Sequence, residues 1–171
     1  MKQITIINRV EMVISVILLS IITGCGTSYS IKQPLAPTPL KTSVYVMGSC
    51  NTPDNKTDEN ICTVLHEQIR YDLFKKGLYE KSGSKAPREV NLTITYFRNV
   101  GGTTRAWFGV LCGKDGLDVT VNVVDKQTGS TVGIVSASHF NVTAADYSAE
   151  MMAQEVSKKI VEYLANGEKS K

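Results

Sequence analysis

Two segments in which apolar and polar residues alternate restrict the fold most. In residues 117–123 every second residue is Leu or Val, with Asp, Thr and Asn between them. Residues 90–96 follow the same pattern, with Val, Leu, Ile and Tyr as the apolar set. A period of two places these apolar side chains on one face of a β-strand. The segments therefore predict a sheet with one apolar face, which other elements must cover.

Further strands and two helices follow from local signals. Residues 125–129 (DKQTG) carry turn residues, so residues 131–139 are predicted to return as a hairpin partner, and residues 43–47 form a first strand. Apolar residues recur at helical spacing in residues 59–76 and again from Ala149 to Leu164. Gly77 ends the first helix. The prediction is an α+β fold, a mainly antiparallel sheet of about four to five strands with two helices on one face.

The start of the chain predicts export. Lys2 and Arg9 precede an apolar run over residues 12–22, which is shorter than the roughly 17–25 residues that a membrane-spanning helix needs. The residues Ile22-Thr-Gly-Cys25 that follow this run resemble a bacterial lipobox. The resemblance implies cleavage before Cys25 and attachment of diacylglycerol to its thiol, with a further acyl chain such as palmitate on the new amino group. The alternative is an ordinary secretory signal with a chance Cys at its end.

These features divide the chain into four parts. We predict a lipoprotein signal peptide over residues 1–24, a lipidated N-terminus with a Pro-rich extended tether over 25–41, a single α+β domain over 42–166, and a charged tail over 167–171. Gly26 follows the lipobox Cys, and by resemblance to lipoprotein sorting a non-Asp residue there implies the outer membrane. We expect the periplasmic face rather than the cell surface. In a host with one membrane, its outer face is the alternative.

The central region resembles an uncharacterised family of bacterial envelope lipoproteins. The similarity rests on Arg105, Gly109 and Gly113, which form an R-x-x-x-G-x-x-x-G segment, and on Asp125-Lys-Gln-Thr-Gly129, a D-x-x-T-G hairpin. The helix ending in Phe74-Lys-Lys-Gly77 also resembles that family. The family has no established activity, so the resemblance supports the fold and implies no reaction.

Cys50, Cys62 and Cys112 remain once Cys25 is assigned to the lipid. A Cys50–Cys62 disulfide would close a 13-residue loop between the first strand and the first helix, and exported proteins favour disulfides. The alternative is a pair of reduced, buried thiols. Cys112 has no predicted partner within the molecule.

Catalytic and metal signatures are weak. Cys62 and His66 are four residues apart on one predicted helix face, and Cys50 and a fourth ligand such as His139 would have to join them to hold zinc, a spacing unlike known structural zinc sites. We therefore expect no metal, no cofactor and no catalytic residues. Nucleic acid is also excluded as a partner, because 19 Lys and Arg against 16 Asp and Glu give a small, dispersed positive charge.

The apolar run Trp107–Cys112 is the remaining functional candidate. Arg105, Trp107 and Phe108 are predicted to contact an envelope protein partner, and the alternative is a core strand with Arg105 at a glycine turn. The predicted function is a membrane-anchored, non-catalytic binding or assembly module. The alternatives are a small envelope hydrolase or metal-dependent enzyme, and a periplasmic ligand-binding domain with a pocket between helices and sheet.

Overall fold

The structure is a computed structural model that describes residues 25–37, 44–52, 59–81, 86–100, 115–141 and 148–166. The described elements are β1 (Cys25–Gln33), β2 (Tyr45–Asn51), α1 (Glu59–Lys75), β3 (Arg88–Arg98), β4 (Asp115–Asp125), β5 (Thr131–Asn141) and α2 (Ala149–Asn166). Within these residues, neither helix has both the length and the apolar character that crossing a bilayer requires.

The five strands form one sheet in the order β1-β5-β4-β3-β2. Neighbouring strands are antiparallel except β2 and β3, which are parallel and joined through α1. This arrangement confirms the predicted α+β class and the mainly antiparallel sheet. The sheet contains five strands, the upper end of the predicted number.

The hydrophobic core lies between the sheet and the two helices. Leu117, Val119, Val121 and Val123 of β4 are all buried, as their alternation predicts. They pack with the buried stripe of each helix, which includes Leu65, Ile69 and Leu73 of α1 and Met152, Val156, Ile160 and Leu164 of α2. The space between helices and sheet is therefore filled by the side chains that the two periodicities predict.

Two glycines end elements by adopting positive φ angles. Gly77 has φ of 68° directly after α1, and the N–H of Leu78 donates to the carbonyl of Leu73 at 2.9 Å. Gly129 has φ of 70° in the β4–β5 turn. The carboxylate of Asp125 accepts hydrogen bonds from the backbone N–H of Gln127 and of Thr128, both at 2.9 Å. The predicted turn at residues 125–129 is thus confirmed.

The strand register defines two ends of the sheet. Cys25 is paired with Asn141, and Asn141 is paired with Asp115, so we call this the Cys25 end. Tyr45 is paired with Arg88, and Arg88 with Asp125, so we call this opposite end of the strands the hairpin end. The described turn between β4 and β5 lies at the hairpin end.

The N-terminal part of the predicted tether differs from the prediction. Cys25–Gln33 forms β1, which pairs with β5 at the edge of the sheet. The physical reason is that Tyr29 and Ile31 alternate with Ser and Lys, which is a strand pattern, whereas the prolines begin only at Pro34. Leu35 is buried, so the chain beyond β1 is also held by the core. Residues 25–35 are therefore part of the sheet and core, so the domain extends N-terminal to the predicted boundary at residue 42.

The backbone after β1 is fixed by two further contacts. The N–H of Ala36 donates to the carbonyl of Val132 at 2.7 Å. The guanidinium of Arg88, itself buried, donates to the carbonyl of Ala36. Residues 34–37 are thus part of the domain. Residues 38–41 of the predicted tether lie outside the described residues.

Other boundaries shift by a few residues. The strand predicted at residues 43–47 is found over Tyr45–Asn51. Tyr79, beyond α1, forms an isolated bridge with Tyr45. The predicted signal peptide and the charged tail lie outside the described residues.

Candidate functional site

A disulfide joins β2 to α1. Cys50 and Cys62 are bonded, with their Cα atoms 5.9 Å apart, so the predicted pairing is confirmed. The bond removes Cys50 and Cys62 as thiolate ligands, which overturns the zinc alternative built on Cys62 and His66. His66 instead places Nε2 3.3 Å from the carbonyl oxygen of Gly48. Among the described residues no group of three His, Cys, Asp or Glu side chains is arranged to hold a metal ion.

A buried polar row lies at the Cys25 end, on the helix side of the sheet. Its members are Asp115, Asn141 and His139, the last only 3% exposed. Nδ1 of His139 lies 2.7 Å from the hydroxyl oxygen of Thr27 in β1. Burial lowers the pKa of His139, and the negative charge of Glu155 opposes this effect only in part. His139 is therefore positioned to hold β1 on the sheet as a neutral ring.

Asp115 connects two strand ends in the same row. Its Oδ1 accepts a hydrogen bond from the backbone N–H of Val100 at 3.0 Å. The contact fixes the end of β3 against the start of β4. Two members of the polar row, His139 and Asp115, thus make contacts that join strand ends.

An aromatic pair lies at the Cys25 end on the opposite face of the sheet. The rings of Tyr96 and Phe140 are tilted, with their centroids 6.0 Å apart, and Tyr96 is 36% exposed. The Phe140 ring lies against Gly116, where a Cβ would come within 2.4 Å of it. Exposed Arg98 pairs in register with Gly116. This end of the open face therefore carries two aromatic rings and, three strands away from β1, an exposed arginine.

The two most exposed large hydrophobic side chains of the described residues lie at the hairpin end. Phe74 is 70% and Tyr71 is 53% exposed, and both project from the last turns of α1. Together with Tyr79 they line a shallow groove of about 350 Å³, which we call the α1 aromatic surface. Nζ of Lys75 lies 4.4 Å from the centroid of the Tyr71 ring. Exposed aromatic side chains of this kind are typical of protein-binding surfaces.

The middle of the open sheet face is polar. Small hydroxyl and amide side chains alternate with the core residues, and Thr120 and Ser136 place their hydroxyl oxygens 3.1 Å apart. Asp118 Oδ1 and Asn122 Oδ1 are buried and have no hydrogen-bond partner among the described residues. This face is not a second apolar core surface.

The predicted partner-contact residues Arg105, Trp107 and Phe108 lie outside the described residues, as does Cys112. The α1 aromatic surface was not predicted, although the sequence carries a signal for it. Tyr71 and Phe74 do not belong to the apolar stripe of the helix. The helical periodicity therefore places these two large side chains on its solvent side.

Comparison with solved structures identifies similar folds. The PelC dodecamer from Paraburkholderia phytofirmans is similar over 82% of this chain and 96% of that chain, with 11% identity and a TM-score of 0.54. A single-residue variant of PelC gives a TM-score of 0.58 at 13% identity, covering 81% of this chain and 97% of that chain. At these identities the likeness concerns the fold.

Protein XCC0632 from Xanthomonas campestris, a DUF330 protein, also has a similar fold. It is 8% identical, with a TM-score of 0.52, over 80% of this chain and 94% of that chain. The comparison with curated protein sequences found no significant match.

One family model matches residues 40–145, which is more than half of the chain and includes β2, α1, β3, β4 and β5. Its description is a domain of unknown function, in agreement with the predicted membership of an uncharacterised family. The chain belongs to the DUF4410 family.

Proposed function

We propose that this chain is a lipid-anchored envelope protein that acts as a non-catalytic binding and assembly module. The observation that carries the proposal is the lipobox-like segment Ile22-Thr-Gly-Cys25, which follows a short apolar run. Cys25 also belongs to β1 and is paired with Asn141 of β5, so the proposed anchor residue is part of the sheet. By the sorting argument from Gly26, we place the protein at the periplasmic face of the outer membrane.

The α1 aromatic surface supports a binding role. A partner that covers Phe74 and Tyr71 would remove two large aromatic rings from water, at a gain of roughly 25 cal/mol per Å² of apolar area. The envelope partner is expected to be a protein with a complementary apolar surface. Arg105, Trp107 and Phe108 remain proposed contact residues in addition to this surface.

The anchor is tested by metabolic labelling with an alkyne analogue of palmitate. We expect label on the wild-type protein and none on Cys25→Ser, and mass spectrometry should find Cys25 as the modified N-terminal residue. An unlabelled wild-type protein with an intact signal segment would contradict the anchor.

The binding role is tested by in-cell crosslinking and mass spectrometry. We expect one recurrent envelope partner for wild type that is lost in Phe74→Ser. Met151→Ser is the matched control, because Met151 is an exposed apolar residue on the other helix. Equal recovery of partners from both variants would show that the α1 aromatic surface is not the binding surface.

A second candidate is assembly with further copies of the chain. The two sheet edges are formed by β1 and β2, which run in opposite directions relative to the Cys25 end. Antiparallel pairing of β1 with β2 of a second copy would keep every Cys25 at the same end, and such head-to-tail contacts can close into a ring. PelC, which has a similar fold, is described as a dodecamer.

Native mass spectrometry of purified Cys25→Ser tests this second candidate. We expect a ring that dissociates in Ile31→Lys, because a charge on an exposed edge strand opposes pairing. Met151→Lys is the control and should leave the ring intact. A monomeric wild-type domain at micromolar concentration would exclude assembly through these edges.

A further inference from the structure

We propose that the Cys25 end of the sheet lies directly on the bilayer surface and that the hairpin end points away from it. This inference rests on the proposed lipid anchor and adds the orientation of the domain. It follows from the position of Cys25 within β1, because no spacer separates the lipidated residue from the sheet.

The register fixes which residues accompany the anchor. Cys25 is paired with Asn141, and the next row of the sheet contains Gly26, Phe140, Gly116 and Arg98. Adjacent rows are separated by about 3.3 Å along the strand, so this row lies at nearly the same height as the anchor. Phe140 and Arg98 are therefore brought to the level of the lipid headgroups when Cys25 carries its acyl chains.

The chemistry of this row suits a bilayer surface. Tyr96 and Phe140 present aromatic rings on the open face, and aromatic rings favour the boundary between headgroups and acyl chains. Arg98 is exposed at the same level of the sheet, and a guanidinium is a favourable group for binding lipid phosphates. The buried polar row of Asp115, His139 and Asn141 faces the helices, so these side chains do not contact the bilayer.

The same geometry places the α1 aromatic surface far from the lipid. β1 has nine residues, so the hairpin end is roughly 30 Å from Cys25 along the strand direction. α1 ends at the hairpin end, because the N–H of Tyr45 donates to the carbonyl of Leu78 at 2.8 Å. Phe74 and Tyr71 are therefore presented to soluble partners rather than to the anchoring membrane.

Tryptophan fluorescence quenched by labelled lipids tests the orientation. The chain has one Trp, so a Trp107→Phe background allows single probes. Asn99→Trp and Phe140→Trp report on the Cys25 end, and Phe74→Trp and Gln127→Trp report on the hairpin end. Lipidated full-length protein would be reconstituted in phosphatidylethanolamine and phosphatidylglycerol vesicles that carry a doxyl group near the headgroup.

We expect loss of fluorescence in both Cys25-end variants and unchanged fluorescence in both hairpin-end variants. Equal quenching at the two ends, or quenching at the hairpin end alone, would overturn the orientation while leaving the anchor intact. Wild-type protein that fails to float with the vesicles would overturn the anchor and the orientation together. Two probes at each end ensure that one misfolded variant does not decide the result.

Discussion

Phe140 lies between two glycines that differ in how much space a side chain would have. It is paired with Gly116 of β4 on one side and with Gly26 of β1 on the other. A Cβ on Gly116 would lie 2.4 Å from the Phe140 ring and 3.1 Å from the carbonyl oxygen of His139. A Cβ on Gly26 would meet no atom within 4 Å.

Gly116→Ala is therefore expected to lower the free energy of unfolding by about 1–3 kcal/mol, the usual cost of overpacking. Gly26→Ala is the matched control and should change it by less than about 0.5 kcal/mol. Urea denaturation followed by circular dichroism measures both. Equal stability of the two variants would show that Phe140 can move away from Gly116 at little cost.

His139 should make stability depend on pH. Burial lowers its pKa in the folded state, so the unfolded chain, with an ordinary value near 6.5, binds the proton more readily. The charged groups on facing elements include Glu155, whose effect opposes burial and is smaller. Stability is accordingly expected to be greatest above pH 6.5 and to fall as the pH drops from there toward the lowered pKa.

Thermal melts between pH 5 and 8 test this expectation. His139→Gln should flatten the profile in that range, since it removes the titrating group and keeps a polar side chain beside Thr27. A slope that survives in His139→Gln would assign the pH dependence to other groups.

At the scale of elements, the disulfide is the covalent link between the parallel edge strand and the helix that follows it. β2 contributes few fully buried residues, and its pairing with β3 is interrupted between Met47 and Cys50. A bridge from Cys50 to the first turn of α1 therefore holds the weakest strand of the sheet.

The double variant Cys50→Ser/Cys62→Ser is expected to lose about 3 kcal/mol of stability, the chain-entropy value for a loop of this size. Adding reductant to wild type should reproduce the loss and should not affect the double variant further. Chemical denaturation with and without dithiothreitol measures both effects. A wild-type protein insensitive to reductant under unfolding conditions would contradict the bond.

The strands and helices with strong periodicity could be predicted from the sequence. β1 was missed, because the prolines that follow it hide its short strand pattern. Residues 117–123 and the helix stripes were placed correctly because burial of one face produces a clear period. β1 was assigned to a tether, since Pro34 and the prolines after it dominated the composition of residues 25–41. The short alternation around Tyr29 is a real strand signal, but its partner β5 lies more than a hundred residues away, and no local rule identifies a distant partner.

The candidate surfaces were less predictable than the fold. The Cys50–Cys62 bond could be proposed from loop length, whereas the row that joins Gly26 to Arg98 depends on the register of four strands. Register is fixed by the whole sheet and cannot be read from any one strand. The exposure of Phe74 could be predicted from the apolar stripe of the helix. Its location at the hairpin end could not, because it depends on how the helix packs on the sheet.

For the whole molecule, the direct connection of Cys25 to the sheet predicts the effect of a spacer. Twelve Gly and Ser residues inserted between Cys25 and Gly26 would add a flexible chain of roughly 20 Å. The melting temperature should stay near that of wild type, because only the first pair of β1, Cys25 with Asn141, is lost. The contrast in lipid quenching between Asn99→Trp and Phe74→Trp should disappear, as measured in the same vesicles. A contrast that persists would mean that the surface of the domain, and not the anchor, sets the orientation.

The pairing of β1 with β5 also sets the order in which the sheet can form during synthesis. Thr27 and His139, which bond across these strands, are 112 residues apart, so the first described strand must wait for the last. At a synthesis rate of about 5–20 residues per second, that delay is roughly 6 to 22 s. During this time the pairing edge of β1 is unoccupied. A chaperone that shields nascent strands would therefore act on β1 before its partner strand has been made.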